Sequence, residues 1–116
     1  MITIDADTIR RVDTWLDHTT AGHYRNEPLA QDWARVAKAS EEAGEAIRAL
    51  IACTGQNPRK GVHGTIGDLL NELSDVALTG ILAIQHFTKD ITTTQQVLSA
   101  KVELLARRVP VQDDAQ

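Results

Sequence analysis

A chain of 116 residues with 42% hydrophobic and 24% charged side chains has the balance of one ordinary globular domain spanning residues 1–116, and neither a disordered chain nor a multidomain one fits it. A formal charge of −4 without a Lys/Arg-dense stripe is the wrong sign for a partner of polymeric nucleic acid, and a single cysteine, Cys53, leaves no internal disulfide and no cysteine-built zinc site within one chain. The start, Met1-Ile-Thr-Ile-Asp-Ala-Asp, lacks the basic and apolar regions of a signal peptide, and no apolar run reaches the roughly 18–20 residues that span a bilayer, so a cytoplasmic protein without a membrane partner is expected.

The aromatic residues are Trp15, Tyr24, Trp33 and Phe87, so the core must be built from Ala, Leu, Ile and Val, which suits helix packing better than a β-sandwich. Prolines and glycines divide the chain into four predicted helices. The first spans about residues 7–19, with Ile9, Val12 and Leu16 at helical spacing and Ala21-Gly22 as the expected stop. The second starts at Pro28, where a first-turn proline is tolerated, and runs to Gly55, a suitable C-terminal glycine. Residues 55–64 hold three glycines and a proline and read as a flexible, locally basic connection. The third helix covers about residues 65–87. Thr92 to Thr94 offer N-cap hydroxyls for a fourth, ending near Val109 before Pro110, and residues 112–116 read as a frayed tail.

On the second helix, Val36, Ser40, Ala43, Ile47 and Leu50 form one stripe, expected to face the core, and Glu42 and Glu45 lie about 120–180° from its centre beside Lys38. On the third, Ile66, Leu69, Leu73, Val76, Ala77, Gly80 and Ile84 form the equivalent stripe, with Glu72 and Asp75 about 100–160° away. One isolated Glu-x-x-Glu is ordinarily the solvated face of an amphipathic helix. Two like-charged pairs on neighbouring helices, however, repel unless a cation lies between them. The third helix is also apolar almost all round from Val76 to Ile84: Leu78 and Leu82 lie about 140–180° from the Leu73 stripe, so a second copy of the chain is expected to cover them.

Carboxylates from two helices, without sulfur, form a hard-donor set that suits Mg²⁺, or Mn²⁺, better than zinc or copper. A di-iron bundle would need Glu-x-x-His pairs, and none of His18, His23, His63 and His86 has a glutamate three residues before it; they read as surface or packing histidines, with His63 the mild candidate for a ligand contact. Cys53 has no arranged base and reads as a small buried hydrophobe.

The segment Lys38-Ala-Ser-Glu41-Glu42-Ala-Gly-Glu45-Ala and, beyond residues 46–71, Glu72-Leu-Ser-Asp75-Val resemble the Glu-x-x-Glu, gap, Glu-x-x-Asp pattern of the MazG-like and dimeric dUTPase superfamily of all-α nucleotide pyrophosphatases. The resemblance covers roughly residues 29–108. It implies a MazG-type, four-helix bundle-like protomer in a homodimer or homotetramer that hydrolyses a nucleoside triphosphate to the monophosphate and pyrophosphate. Glu42, Glu45, Glu72 and Asp75 would hold the metal, with Glu41 and Glu42 as the catalytic glutamates and Glu41 acting on the attacking water, although an exposed helix glutamate reads the same way. Lys38, Lys101, Arg108 and the loop pair Arg59 and Lys60 are candidates for the phosphates, and each also reads as a plain surface cation. Where family members often carry an asparagine after the fourth-helix lysine, this chain has Glu103 and Leu105 nearby. Trp33 could stack on a base or belong to the core. A phosphoribosyl-ATP pyrophosphohydrolase-like enzyme, and a non-catalytic helical oligomer with a structural cation site, remain open alternatives.

Overall fold

In a computed structural model, residues 3–24 and 27–111 are described, those at 20–24 by their backbone alone. They form four helices: α1 (Ala6–Tyr24), α2 (Pro28–Thr54), α3 (Ile66–Thr88) and α4 (Ile91–Arg108). The expected all-α class and element order are therefore observed. The frayed-tail expectation for 112–116 falls outside the described residues, as does the His23 side chain. Among the described residues, no helix is long and apolar enough to cross a membrane.

Local chemistry sets most of the boundaries. Pro28 opens α2, and Gly55 closes it in the left-handed region at φ 71°, where an added Cβ would meet Val62 Cγ2 at 2.9 Å. The connection that follows is pinned back onto α2: the backbone N–H groups of His63 and Gly64 both donate to Ala52 O, and a Cβ on Gly64 would meet Ala52 Cβ at 2.9 Å. Thr65 and Asp68 form a reciprocal capping box at the start of α3. Two boundaries differ from expectation. Helix α1 runs through Ala21-Gly22 to Tyr24, and the cap of α4 is Asp90 rather than a threonine, its carboxylate accepting from Thr93 N at 3.0 Å and Thr93 Oγ1 at 2.6 Å. Thr94 instead turns inward, fully buried between Gln85 Oε1 and Thr88 Oγ1, each at 2.7 Å.

The backbone of the protomer is the antiparallel α2–α3 hairpin, with α1 resting on both helices and α4 on α3 and α1; α4 does not reach α2 among the described residues. This is a slab rather than a closed bundle. Its extents are 53 × 48 × 22 Å and its radius of gyration is 18.0 Å, against about 13 Å for a compact domain of this length.

The expected core stripe of α2 is not core in the protomer. Ser40 and Ala43 are exposed, as are Val36, Ile47 (59%) and Leu50, and Glu42 (7% exposed) and Ala46 are the residues turned toward α3. On α3 the expected stripe is split: Leu69, Val76, Gly80 and Ile84 are half-buried, whereas Ile66, Leu73 and Ala77 are exposed; of the two leucines expected to need a second copy, Leu78 is exposed and Leu82 is half-buried beside Arg35. On α2 the buried face is the one that carries Glu42, and on α3 the packed face lies between the expected stripe and the acids.

Candidate metal centre

Because Glu42 faces α3, the acid pairs of the two helices meet. One carboxylate oxygen each from Glu42, Glu45 and Glu72 lies within 4.8 Å of the others. Asp75, one helical turn beyond Glu72 and half-buried, falls outside that group. Oε2 of Glu42 and Oε2 of Glu72 are buried and have no hydrogen-bond partner. A buried, unpartnered carboxylate oxygen is costly unless a cation or proton compensates it. The donors are oxygens only, a set that matches Mg²⁺ or Mn²⁺. Asp68 is not part of the group, and its Oδ2 accepts from Thr65 N at 2.9 Å in the capping box.

Basic groups border the acids. Lys38 Nζ lies 3.3 Å from both Glu41 Oε2 and Glu42 Oε1, and Arg48 Nη2 is 4.0 Å from Glu45 Oε1. Hydrogen bonding to Glu42 and then to Glu41 holds the Lys38 ammonium above the usual lysine pKa, so it is charged throughout the neutral range. Glu41 itself is exposed, about 100° around the helix from Glu42.

The other candidates for substrate contact stand apart in the protomer. Arg59 and Lys60 are exposed in the connection at the end of α2, about 20 Å along the helix axis from Glu42. Lys101 and Arg108 lie on the exposed part of α4, which does not touch α2 among the described residues. Trp33 is neither core nor beside the acids: it is 70% exposed, half a turn around α2 from Glu42, in a shallow groove with Leu29, Val36 and Phe87. A larger cleft, about 680 Å³, opens between α1, α3 and α4 and is lined mainly by Ile4, Ile9, Ile81, Leu98 and Val102; none of the clustered acids lines it.

A second polar cluster escaped the sequence reading. Arg35, almost fully buried, donates from Nη2 to Asp13 Oδ1 (2.8 Å), Asp13 O (3.0 Å) and Asp17 Oδ1 (2.9 Å), and from Nη1 to Leu82 O (3.4 Å). Buried His86 donates from Nε2 to Asp32 Oδ1 at 2.7 Å, a carboxylate being able only to accept. The available signal was azimuth: Arg35 lies seven residues before Glu42, about 20° from it on the wheel, and Asp13 and Asp17 share an edge of α1 at i, i+4. His86 is thus a packing histidine, as expected, with a defined partner, and His63 is exposed with Nδ1 3.0 Å from Gly61 O.

Set against protein-family models, curated proteins and solved structures, the chain matches none of them.

Proposed function

We propose that this chain is a divalent-metal-dependent nucleoside triphosphate pyrophosphohydrolase of the MazG-like type, releasing pyrophosphate and a nucleoside monophosphate. The observation that carries the reading is the meeting of Glu42, Glu45 and Glu72 across the α2–α3 contact with two buried, unpartnered oxygens among them. Solvated surface acids would have no reason to be turned inward against one another. Glu42, Glu45 and Glu72 hold the cation, and Asp75 completes the set by a change of side-chain rotamer on the same edge of α3. When bound, Mg²⁺ or Mn²⁺ supplies positive charge where the phosphate oxygens gather negative charge during in-line displacement. Glu41, on the solvent side of Glu42, accepts a proton from the attacking water, and Lys38 contacts the phosphates.

The protein works as a homo-oligomer in this reading. The exposed stripes Val36–Ile47–Leu50 on α2 and Ile66–Leu70–Leu73 on α3 each lie about 130° from the acid face, and in an antiparallel pair those rotations open on the same side of the hairpin. A second copy covers that continuous apolar face and leaves the opposite side, with Lys38, Glu41 and Glu45, open to substrate.

The test is pyrophosphate release across canonical and modified dNTPs, NTPs and phosphoribosyl-ATP with Mg²⁺ or Mn²⁺. Hydrolysis that needs the cation and is lost in a folded Glu42→Gln variant is expected. Activity that survives EDTA sinks the assignment, and cation binding without hydrolysis of any nucleotide leaves a structural site in its place.

A further inference from the structure

Lys38 stands at i, i+3 and i+4 to Glu41 and Glu42, and its ammonium lies 3.3 Å from an oxygen of each. The order is the wrong one for helix support, since a glutamate preceding a lysine by four residues is more favourable than the reverse. Glu41 is exposed and Lys38 is half-exposed, whereas Glu42 is buried and keeps its other oxygen unpartnered. Lysine is a compact cation on a flexible stem with three rotatable donors, so it can leave one oxygen for another without moving the backbone. The ammonium and a divalent cation therefore call on the same Glu42 carboxylate.

We propose that Lys38 is a built-in competitor of the divalent cation, displaced from Glu42 when the metal binds and thereby handed to the phosphates of the incoming nucleotide. This rests on the metal reading of Glu42, Glu45 and Glu72 and adds order to it. The lysine lowers the affinity for metal alone and raises the affinity for phosphate once metal is in place. Accidental occupation of the site by a cation without substrate is thus disfavoured, and neutralising Lys38 moves the two affinities in opposite directions. A lysine whose charge is not felt at the site would move neither.

The experiment follows free Mn²⁺ by its electron paramagnetic resonance signal in titrations of the wild type, Lys38→Gln, Lys38→Arg and Glu42→Gln, with folding checked by circular dichroism. Binding of inorganic pyrophosphate at saturating Mg²⁺ is then measured by calorimetry. Lys38→Gln is expected to bind Mn²⁺ about three- to tenfold more tightly and pyrophosphate about three- to tenfold more weakly, the range of one partly screened charge contact, while Lys38→Arg stays near the wild type in both. Unchanged or weaker Mn²⁺ binding by Lys38→Gln, or unchanged pyrophosphate binding, overturns the exchange. Undiminished Mn²⁺ binding by Glu42→Gln is a separate result, since it removes the metal site on which the exchange depends.

Discussion

Arg35 joins three helices through one guanidinium. Its own element is α2, its ion-pair partners Asp13 and Asp17 belong to α1, and it also reaches a carbonyl of α3. A buried cation with its acceptors in place is roughly neutral for stability, but removing the cation alone leaves Asp13, also largely buried, as an uncompensated charge. Arg35→Met, which keeps the volume, should therefore cost on the order of 3 kcal/mol in urea unfolding, with amide exchange accelerated first in α1. An unfolding midpoint that does not move would mean that α1 is held by apolar contacts alone. At Glu42 the logic is reversed: a carboxylate with an unpartnered oxygen is a stability cost in the protomer, the expected pattern where a residue serves ligand binding rather than folding.

At the scale of the element, α4 shows how a helix can be well started and poorly covered. Its first turn is capped by Asp90 and anchored by buried Thr94, while residues 99–111 are all exposed. Two hydrogen bonds from Thr93 hold the Asp90 carboxyl below the usual carboxylate range. A depressed folded pKa means that the cap contributes stability at pH values above the unfolded value of 3.8, and loses it as the pH falls through the lower folded pKa. Asp90→Ala should accordingly lower Tm at pH 7, and the gap between variant and wild type should narrow as both are taken below pH 4. A gap independent of pH would assign the effect to something other than the ionised cap.

For the whole molecule, the decisive feature is thinness. A slab 22 Å thick holds about two layers of helix, and Ile9 and Ala46 are the buried hydrophobic residues among those described. Each large aliphatic side chain left in water forgoes roughly 1.5–3 kcal/mol of burial, which a small domain can ill sustain across two stripes. If the proposed homo-oligomer forms through these stripes, Leu73→Glu or Ile47→Glu should dissociate it in multi-angle light scattering, whereas Leu73→Met should be mild. The same charge placed at Leu82 instead disturbs the half-buried side of α3 next to Arg35. A wild-type monomer at micromolar concentration with its stripes still exposed would refute the paired-hairpin assembly.

The sequence by itself determined what depends on near neighbours along the chain. Pro28 and Gly55 bound α2, a 3.6-residue period marked its two faces, and the spacing of Glu42, Glu45 and Glu72 placed three acids on edges able to meet. Where α1 ends and which residue caps α4 were less legible: Ala21-Gly22 is permissive rather than terminating, and Asp90 competes with three adjacent hydroxyls for the same role. Only the tertiary structure decided which face of each helix meets which partner. A helical wheel is unchanged by exchanging the neighbour on one side for the neighbour on the other, so the stripes could be found without knowing that the α2 stripe is left exposed and the α3 stripe is covered along one edge only. The Arg35 cluster was hidden for the same reason: Asp13 and Asp17 share an edge of α1, but only the docking of α1 and α3 on α2 brings them to Arg35.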